Sequence, residues 1–298
     1  MSVERLTIRD VPGIRVGHWT DASARTGCTV ILPGDDGAVA GVDVRGSAPG
    51  TRETDLLRPT ALVERIHGIC LAGGSAFGLA AADGVMRRLA ERGVGVDTGV
   101  RPVPVVPAAI LFDLGVGDPM AFPDAEAGHL ATVAAETNEG PLEGSVGAGT
   151  GATVAKLGGP ERAHAGGVGS AARRLVNGAV VGALVVNNAF GDVVARDGRV
   201  LAGGPGGVPA PPPVGNTTLA VIVTDAPLDR AQCRKLAELG HDALARGIRP
   251  VHTMWDGDTV FALSTGDGSR CDPQVLLELS LASDEAIREA IERSVGSD

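Results

Sequence analysis

The 298 residues predict a compact α/β protein built as one domain, and three observations carry that expectation. Short apolar, β-branched runs such as Thr218–Thr224 (TLAVIVT) and Ala179–Val186 (AVVGALVV) are bounded by breakers and read as buried strands. Stretches with helical spacing, Leu79 to Leu89, Ala125 to Thr137 and Leu228 to Arg246, fall between them. An apolar fraction of 44% gives enough material for a sizeable core, while 44 glycines and 19 prolines supply many tight turns.

Taken in order, Thr26–Leu32 and Ala38–Val44 read as paired strands joined by the turn Pro33-Gly34-Asp35-Asp36-Gly37, a hairpin that opens the sheet. Ser47 to Thr54 is a polar loop, Leu62 to Ile66 a short helix and His67 to Ala72 a strand. Gly73-Gly-Ser-Ala-Phe-Gly78 then leads into the helix from Leu79. It falls short of a nucleophile elbow because Phe77 stands where the second glycine belongs, so Ser75 reads as an N-cap. Val103 to Leu114, interrupted by Pro104 and Pro107, suits a lining segment or strand edge, and Ala125 to Thr137 forms a helix carrying His129.

Gly144 to Lys156 (GSVGAGTGATVAK) is dense in glycine but lacks the G-K-[ST] ending and the acidic residue at dinucleotide spacing, so no nucleotide or other cofactor is expected. Its lysine is informative. Only Lys156 and Lys235 are lysines among 26 Lys plus Arg, and a lysine kept beside backbone-exposing glycines reads either as a compact charge with a tunable pKa or as an ordinary surface lysine. Asn187 and Asn188 close the strand that begins at Ala179, where a side-chain amide is suited either to a developing oxyanion or to a turn.

Gly203 to Pro213 combines four glycines with Pro205, Pro209 and Pro211 to Pro213 and reads as a loop. It meets the strand Thr218–Thr224 at Asn216-Thr217, which reads either as ordinary turn chemistry or as a bond whose severing would leave a rigidly held new N-terminus. The freed α-amine, with an ordinary pKa of roughly 7.7–8.0, could then serve as base for the hydroxyl of the same threonine. Leu228 to Arg246 is a helix ending at Gly247. Arg249–Trp255 and Thr259–Leu263 read as a hairpin turning on Asp256-Gly257-Asp258, with Val275–Leu281 and Asp284–Val295 as closing helices.

The formal charge of −10 and the absence of a basic run exclude nonspecific nucleic-acid binding. Cys28, Cys70, Cys233 and Cys271 are far apart without a C-x-x-C pair, which reads as reduced structural thiols rather than a metal or disulfide framework. The opening MSVERLTIRD lacks an apolar signal core and no apolar stretch reaches membrane-spanning length, so a cytoplasmic protein with no membrane partner is expected.

These pieces in line resemble the P1 family of self-processing aminopeptidases, peptidase family S58. The matching segments are VPGIRVGH from Val11, DVRGSAPGTRET from Asp43, LAGGSAFGL from Leu71, VGAGTGATVAK from Val146, NNAFGDV from Asn187, NTTLAVIVTDAPL from Asn216 and HTMWDGD from His252. The resemblance covers most of the chain and lies nearest the nylon-oligomer hydrolase branch. It implies a four-layer αββα sandwich in which the precursor cuts itself before Thr217, giving fragments 1–216 and 217–298 of a single domain.

It further implies Thr217 as nucleophile with its own amine as base, Asp256 and Asp258 as the carboxylates that hold it, Asn188 as oxyanion amide and Lys156 as a lysine near the site. Asn187 beside Asn188 leaves that alignment open by one residue. Some relatives place a tyrosine in the pocket; this chain has none, and Phe112 takes that place. The expected activity is hydrolysis of small peptides, amides or esters through an acyl-enzyme by a homotetramer or larger ring. Acyl transfer of the ornithine acetyltransferase type and an uncleaved binding protein are the alternatives.

Overall fold

The computed structural model describes residues 5–204 and 215–296, so most of the expected Gly/Pro loop, 205–214, lies outside the described residues. Strands β1 (Arg15–Asp21) and β2 (Thr26–Leu32) come first, followed by β3 (Ala38–Val44), β4 (Thr51–Arg52), β5 (Arg65–Ile66) and β6 (Ile69–Ala72). Helix α1 (Ala81–Glu91), β7 (Ala108–Ile110) and α2 (Ala125–Thr137) precede β8 (Thr153–Val154), β9 (His164–Ala165), β10 (Gly167–Arg174) and β11 (Val180–Asn188). The chain ends with β12 (Asp192–Val194), β13 (Val200–Ala202), β14 (Thr217–Thr224), α3 (Arg230–Gly247), β15 (Ile248–Arg249), β16 (Thr259–Ser264) and α4 (Pro273–Ser294).

Two sheets face each other, one ordered β1-β2-β6-β7-β4 and the other β10-β11-β14-β16-β3-β5, with small sheets β13-β12-β15 and β8-β9 beside them. The period-2 alternation of each strand feeds two cores at once. In β14, Leu219, Val221 and Val223 enter the apolar layer between the sheets, while Ala220 and Ile222 face α3 and α4. In β2, Ile31 faces the other sheet and Cys28, Val30 and Leu32 face α1 and α2. Helix, sheet, sheet and helix layers follow, the αββα sandwich that the resemblance implied. Because both faces are covered, the central strands are apolar almost throughout rather than alternating apolar and polar.

Several local expectations are overturned. β2 does not pair with β3: β2 lies antiparallel to β1 and β6, whereas β3 crosses to the other sheet and lies between β16 and β5. The turn at Pro33–Gly37 therefore connects layers, and Ile31 of β2 and Ala38 and Ala40 of β3 are buried in the apolar layer between the two sheets. The Asp256-Gly257-Asp258 hairpin is absent too, since β16 runs parallel to β14 and antiparallel to β3. The expected helix at Leu62–Ile66 ends instead in β5, an edge strand on β3. The last two helices are one, α4, whose single buried stripe from Leu279 to Ile291 runs past Ser283 without a breaker. Ser75 caps nothing; it has φ 54° and opens a 3-10 turn, Ser75–Ala80, ahead of α1.

The outer helices α1 and α2 touch backbone to backbone. A Cβ on Gly84 would lie 1.7 Å from the Ala125 carbonyl oxygen, and one on Gly128 would lie 1.8 Å from that of Ala81. These reciprocal glycines permit the crossing, and neither backbone can give way cheaply. Gly128→Ala is therefore expected to lower stability by about 1–3 kcal/mol in urea titration; wild-type stability in that variant would contradict so close a crossing.

Candidate active site

One end of the six-stranded sheet gathers the chemically active residues. β14 lies antiparallel to β11 and parallel to β16, so its first residue, Thr217, has Asn188 at the end of β11 opposite it and the segment leading into β16 alongside. Asn216, one residue earlier, forms a parallel bridge with Asp256. The Asn216 carbonyl oxygen accepts from the Thr217 hydroxyl at 2.5 Å and from the Gly257 backbone N–H at 2.9 Å. A Cβ on Gly257 would meet the Ala48 carbonyl oxygen at 2.7 Å and Thr217 Oγ1 at 2.9 Å, so only glycine lets this backbone donor approach so closely. Thr217 and Asn216 are both buried.

Strand parity separates the two asparagines. Asn188 shares the face of Leu184 and Val186, which look into the space between the sheets, and Thr217 shares the corresponding face of β14. Asn187 points the other way and donates from Nδ2 to Ser294 Oγ of α4 at 3.0 Å. The Asn188 amide donates to the carbonyls of Phe112 at 3.1 Å and Gly215 at 3.4 Å, and its Oδ1 accepts from Thr153 N–H at 2.9 Å. Lys156 Nζ donates to that same Oδ1 at 2.9 Å and to the Asn188 carbonyl at 3.1 Å. Two donors to its oxygen and two acceptors for its nitrogen thus fix the amide so that its N–H₂ faces the Gly215–Asn216 segment. Burial lowers the Lys156 pKa to about 7, partly opposed by the negative charge of Asp256.

The two carboxylates serve different neighbours. Asp258 accepts from the Thr218 backbone N–H at 2.6 Å through Oδ1, and its Oδ2 accepts from His252 N–H at 3.0 Å and meets His252 Nδ1 at 2.7 Å. Asp256 Oδ2 accepts from the Thr253 N–H at 2.8 Å and hydroxyl at 2.5 Å. Burial, and then the charge of Asp258, push the Asp256 carboxyl above the usual range, with the Thr253 bonds and Lys156 pulling the other way. All five expected site residues lie around the Asn216–Thr217 bond. Sequence reading missed Gly257, which it took for a turn glycine, and His252 and Thr253, which it quoted in HTMWDGD without a task. The only available signal was their adjacency to Asp256.

A cavity of about 500 Å³ opens beside Asn216, with Phe112, Thr153, Lys156 and Gly215 in its wall. A buried hydroxyl against a carbonyl that a backbone N–H already polarises, next to a fixed amide and a lysine, can support nucleophilic attack with oxyanion stabilisation.

The model of peptidase family S58 matches residues 7–297. An uncharacterized aminopeptidase of Mycobacterium tuberculosis is 47% identical over 292 residues, covering 87% of this chain and 81% of its own length. A 6-aminohexanoate-oligomer endohydrolase of Kocuria sp. is 33% identical over 287 residues, covering 89% and 77%. In fold, the chain matches the L-aminopeptidase D-Ala-esterase/amidase of Ochrobactrum anthropi, described as a variant of the Ntn hydrolase fold, with a TM-score of 0.72 at 19% identity over 99% and 87% of the two chains. The chain belongs to peptidase family S58 and is a hydrolase of peptide or amide bonds.

Proposed function

We infer that this hydrolase cuts its own chain between Asn216 and Thr217 and then uses Thr217 as an N-terminal nucleophile on small peptides, amides or oligoamides. The observation that carries this reading is the contact of the Thr217 hydroxyl with the Asn216 carbonyl, whose oxygen also accepts the Gly257 N–H. In the first stage Thr217 Oγ attacks the Asn216 carbonyl carbon and Gly257 N–H stabilises the oxyanion. The C–N bond then breaks, the hydroxyl proton passes to the departing Thr217 nitrogen, and water hydrolyses the resulting ester to an Asn216 carboxylate and a free Thr217. Asp258 holds the Thr218 N–H, and so the turn of backbone that carries Thr217.

In the second stage the neutral α-amine of Thr217 takes the hydroxyl proton as Oγ attacks the substrate carbonyl. The Asn188 amide, released from Gly215 once that segment withdraws, donates to the oxyanion. Lys156 holds the amide by its oxygen and adds positive charge. The amine product leaves with the proton, and water releases the acid. Likeness to a 6-aminohexanoate-oligomer endohydrolase supports unbranched amides among the substrates. The P1-family resemblance supports a homotetramer or larger ring. Among the described residues no helix is long and apolar enough to cross a membrane.

On a denaturing gel the wild type is expected as fragments of 216 and 82 residues and Thr217→Ala as one uncut chain, with Thr217→Ser still cut. Two bands from the alanine variant would end this mechanism. Asn188→Ala is expected to lower kcat by about 10²–10³ with KM little changed, the scale of a lost oxyanion donor. Asn187→Ala should instead cost about 1–2 kcal/mol of stability through its buried partner Ser294 and spare turnover.

Lys156 titrates near 7 when folded and near 10.5 when unfolded, so between these values the unfolded chain binds more protons and its contribution to stability improves as pH rises. The stability of Lys156→Met relative to wild type should therefore be greatest below pH 7 and decline steadily toward pH 10.5, as read by urea titration across that range. A difference independent of pH would show that the lysine is not buried as described.

A further inference from the structure

The cavity beside Asn216 has an unusual charge. Its ionisable lining groups are Arg25, Lys156 and His164, all basic, and no carboxylate lines it among the described residues. In a chain with a formal charge of −10, surface arginines commonly face a carboxylate, as Arg52 faces Asp83 and Arg173 faces Glu285. Arg25, an exposed residue, is among the arginines that do not: like those of Arg101, Arg162 and Arg249, its guanidinium makes no hydrogen bond or ion pair among the described residues.

Its position is built. Arg25 ends the loop between β1 and β2 with φ 58°, a left-handed conformation that costs a non-glycine residue energy. The Asp21 carboxylate organises that loop, accepting from Ser23 N–H at 3.0 Å, Ser23 Oγ at 2.6 Å and Ala24 N–H at 2.9 Å. Two glycines seat it. A Cβ on Gly151 would lie 2.1 Å from the Arg25 carbonyl oxygen, and one on Gly117 would lie 2.9 Å from Arg25 Cβ.

Gly215 and Asn216, the acyl side of the bond ahead of Thr217, line the same cavity. An acyl group attacked by Thr217 would occupy the place they hold. We propose that Arg25 is a specificity-determining residue that pairs with a carboxylate on the acyl group of the substrate, selecting peptides and amides whose N-terminal residue is Asp or Glu. This rests on Thr217 being the nucleophile. A planar guanidinium matches a carboxylate in two parallel hydrogen bonds, and a concave wall of one sign concentrates anions against the protein's overall negative field. A basic cavity without a carboxylate also disfavours lysyl and arginyl acyl groups, so the selection works by repulsion as well as attraction.

The test compares glutamyl with glutaminyl p-nitroanilide, which differ in charge at nearly constant shape. For the wild type, kcat/KM is expected to favour the glutamyl substrate by about tenfold, expressed in KM and shrinking at high salt. Arg25→Gln should collapse the ratio toward one and Arg25→Glu should invert it, with both variants still cut before Thr217 as evidence that they fold. A wild type indifferent to acyl charge, or a preference that survives in Arg25→Gln, overturns the proposal. If neither anilide turns over, calorimetric titration decides: glutamate must bind the wild type more tightly than glutamine does, and lose that advantage in Arg25→Gln. Equal or undetectable binding overturns the proposal as well. Failure of the Thr217 mechanism is distinguishable, because it appears as an uncut wild-type chain or as Thr217→Ala protein that still cleaves.

Discussion

The mixed pairing of β14 is the constraint on which the site depends. An antiparallel neighbour presents its C-terminal end, Asn188, to the start of β14, while a parallel neighbour presents its N-terminal approach, Asp256 to Asp258. An all-antiparallel arrangement around β14 would carry that approach to the far end of the sheet. Register matters equally, because sliding β11 by one residue would turn Asn187 inward and Asn188 toward α4. The continuous apolar faces of β11, β14 and β16, buried against two cores, hold that register firmly.

Burial sets the electrostatics of the same place. Lys156 loses hydration and its pKa drops to about 7, while burial and then the charge of Asp258 raise the Asp256 carboxyl above its usual range. Asp258 is buried as well but has backbone donors on both oxygens, the arrangement that makes a buried carboxylate tolerable. Behind it His252 packs edge-on against His241 at 4.7 Å, and burial lowers His241 to about 4, leaving it neutral beside its carbonyl partner on Asp43. Elsewhere the buried thiols are kept protonated, Cys70 being pushed up to about 12, which fits structural rather than reactive cysteines.

Much was legible in the chain itself. Helix α2 has the bounds that its spacing predicts, and β2, β3, β11 and β14 lie within a residue or so of the apolar runs that announced them, because propensity, turn residues and burial agree there. Asn188, Lys156, Thr217, Asp256 and Asp258 were nameable through shared motifs, since each sits at a strand end or glycine-rich turn whose sequence is distinctive.

Pairing was not legible. Asp-Gly between apolar runs is a hairpin signal read locally, yet β3 and β16 had better partners across the sheet, and a short-range pattern carries no information about strands 200 residues away. Only the folded chain decided that Gly257 aims its N–H at the Asn216 carbonyl, that the Asn188 side chain turns inward, and that Arg25 reaches the cavity. Residue identity and local spacing determine which elements form; which atoms meet depends on which strands lie side by side, and that follows from burying every apolar face at once.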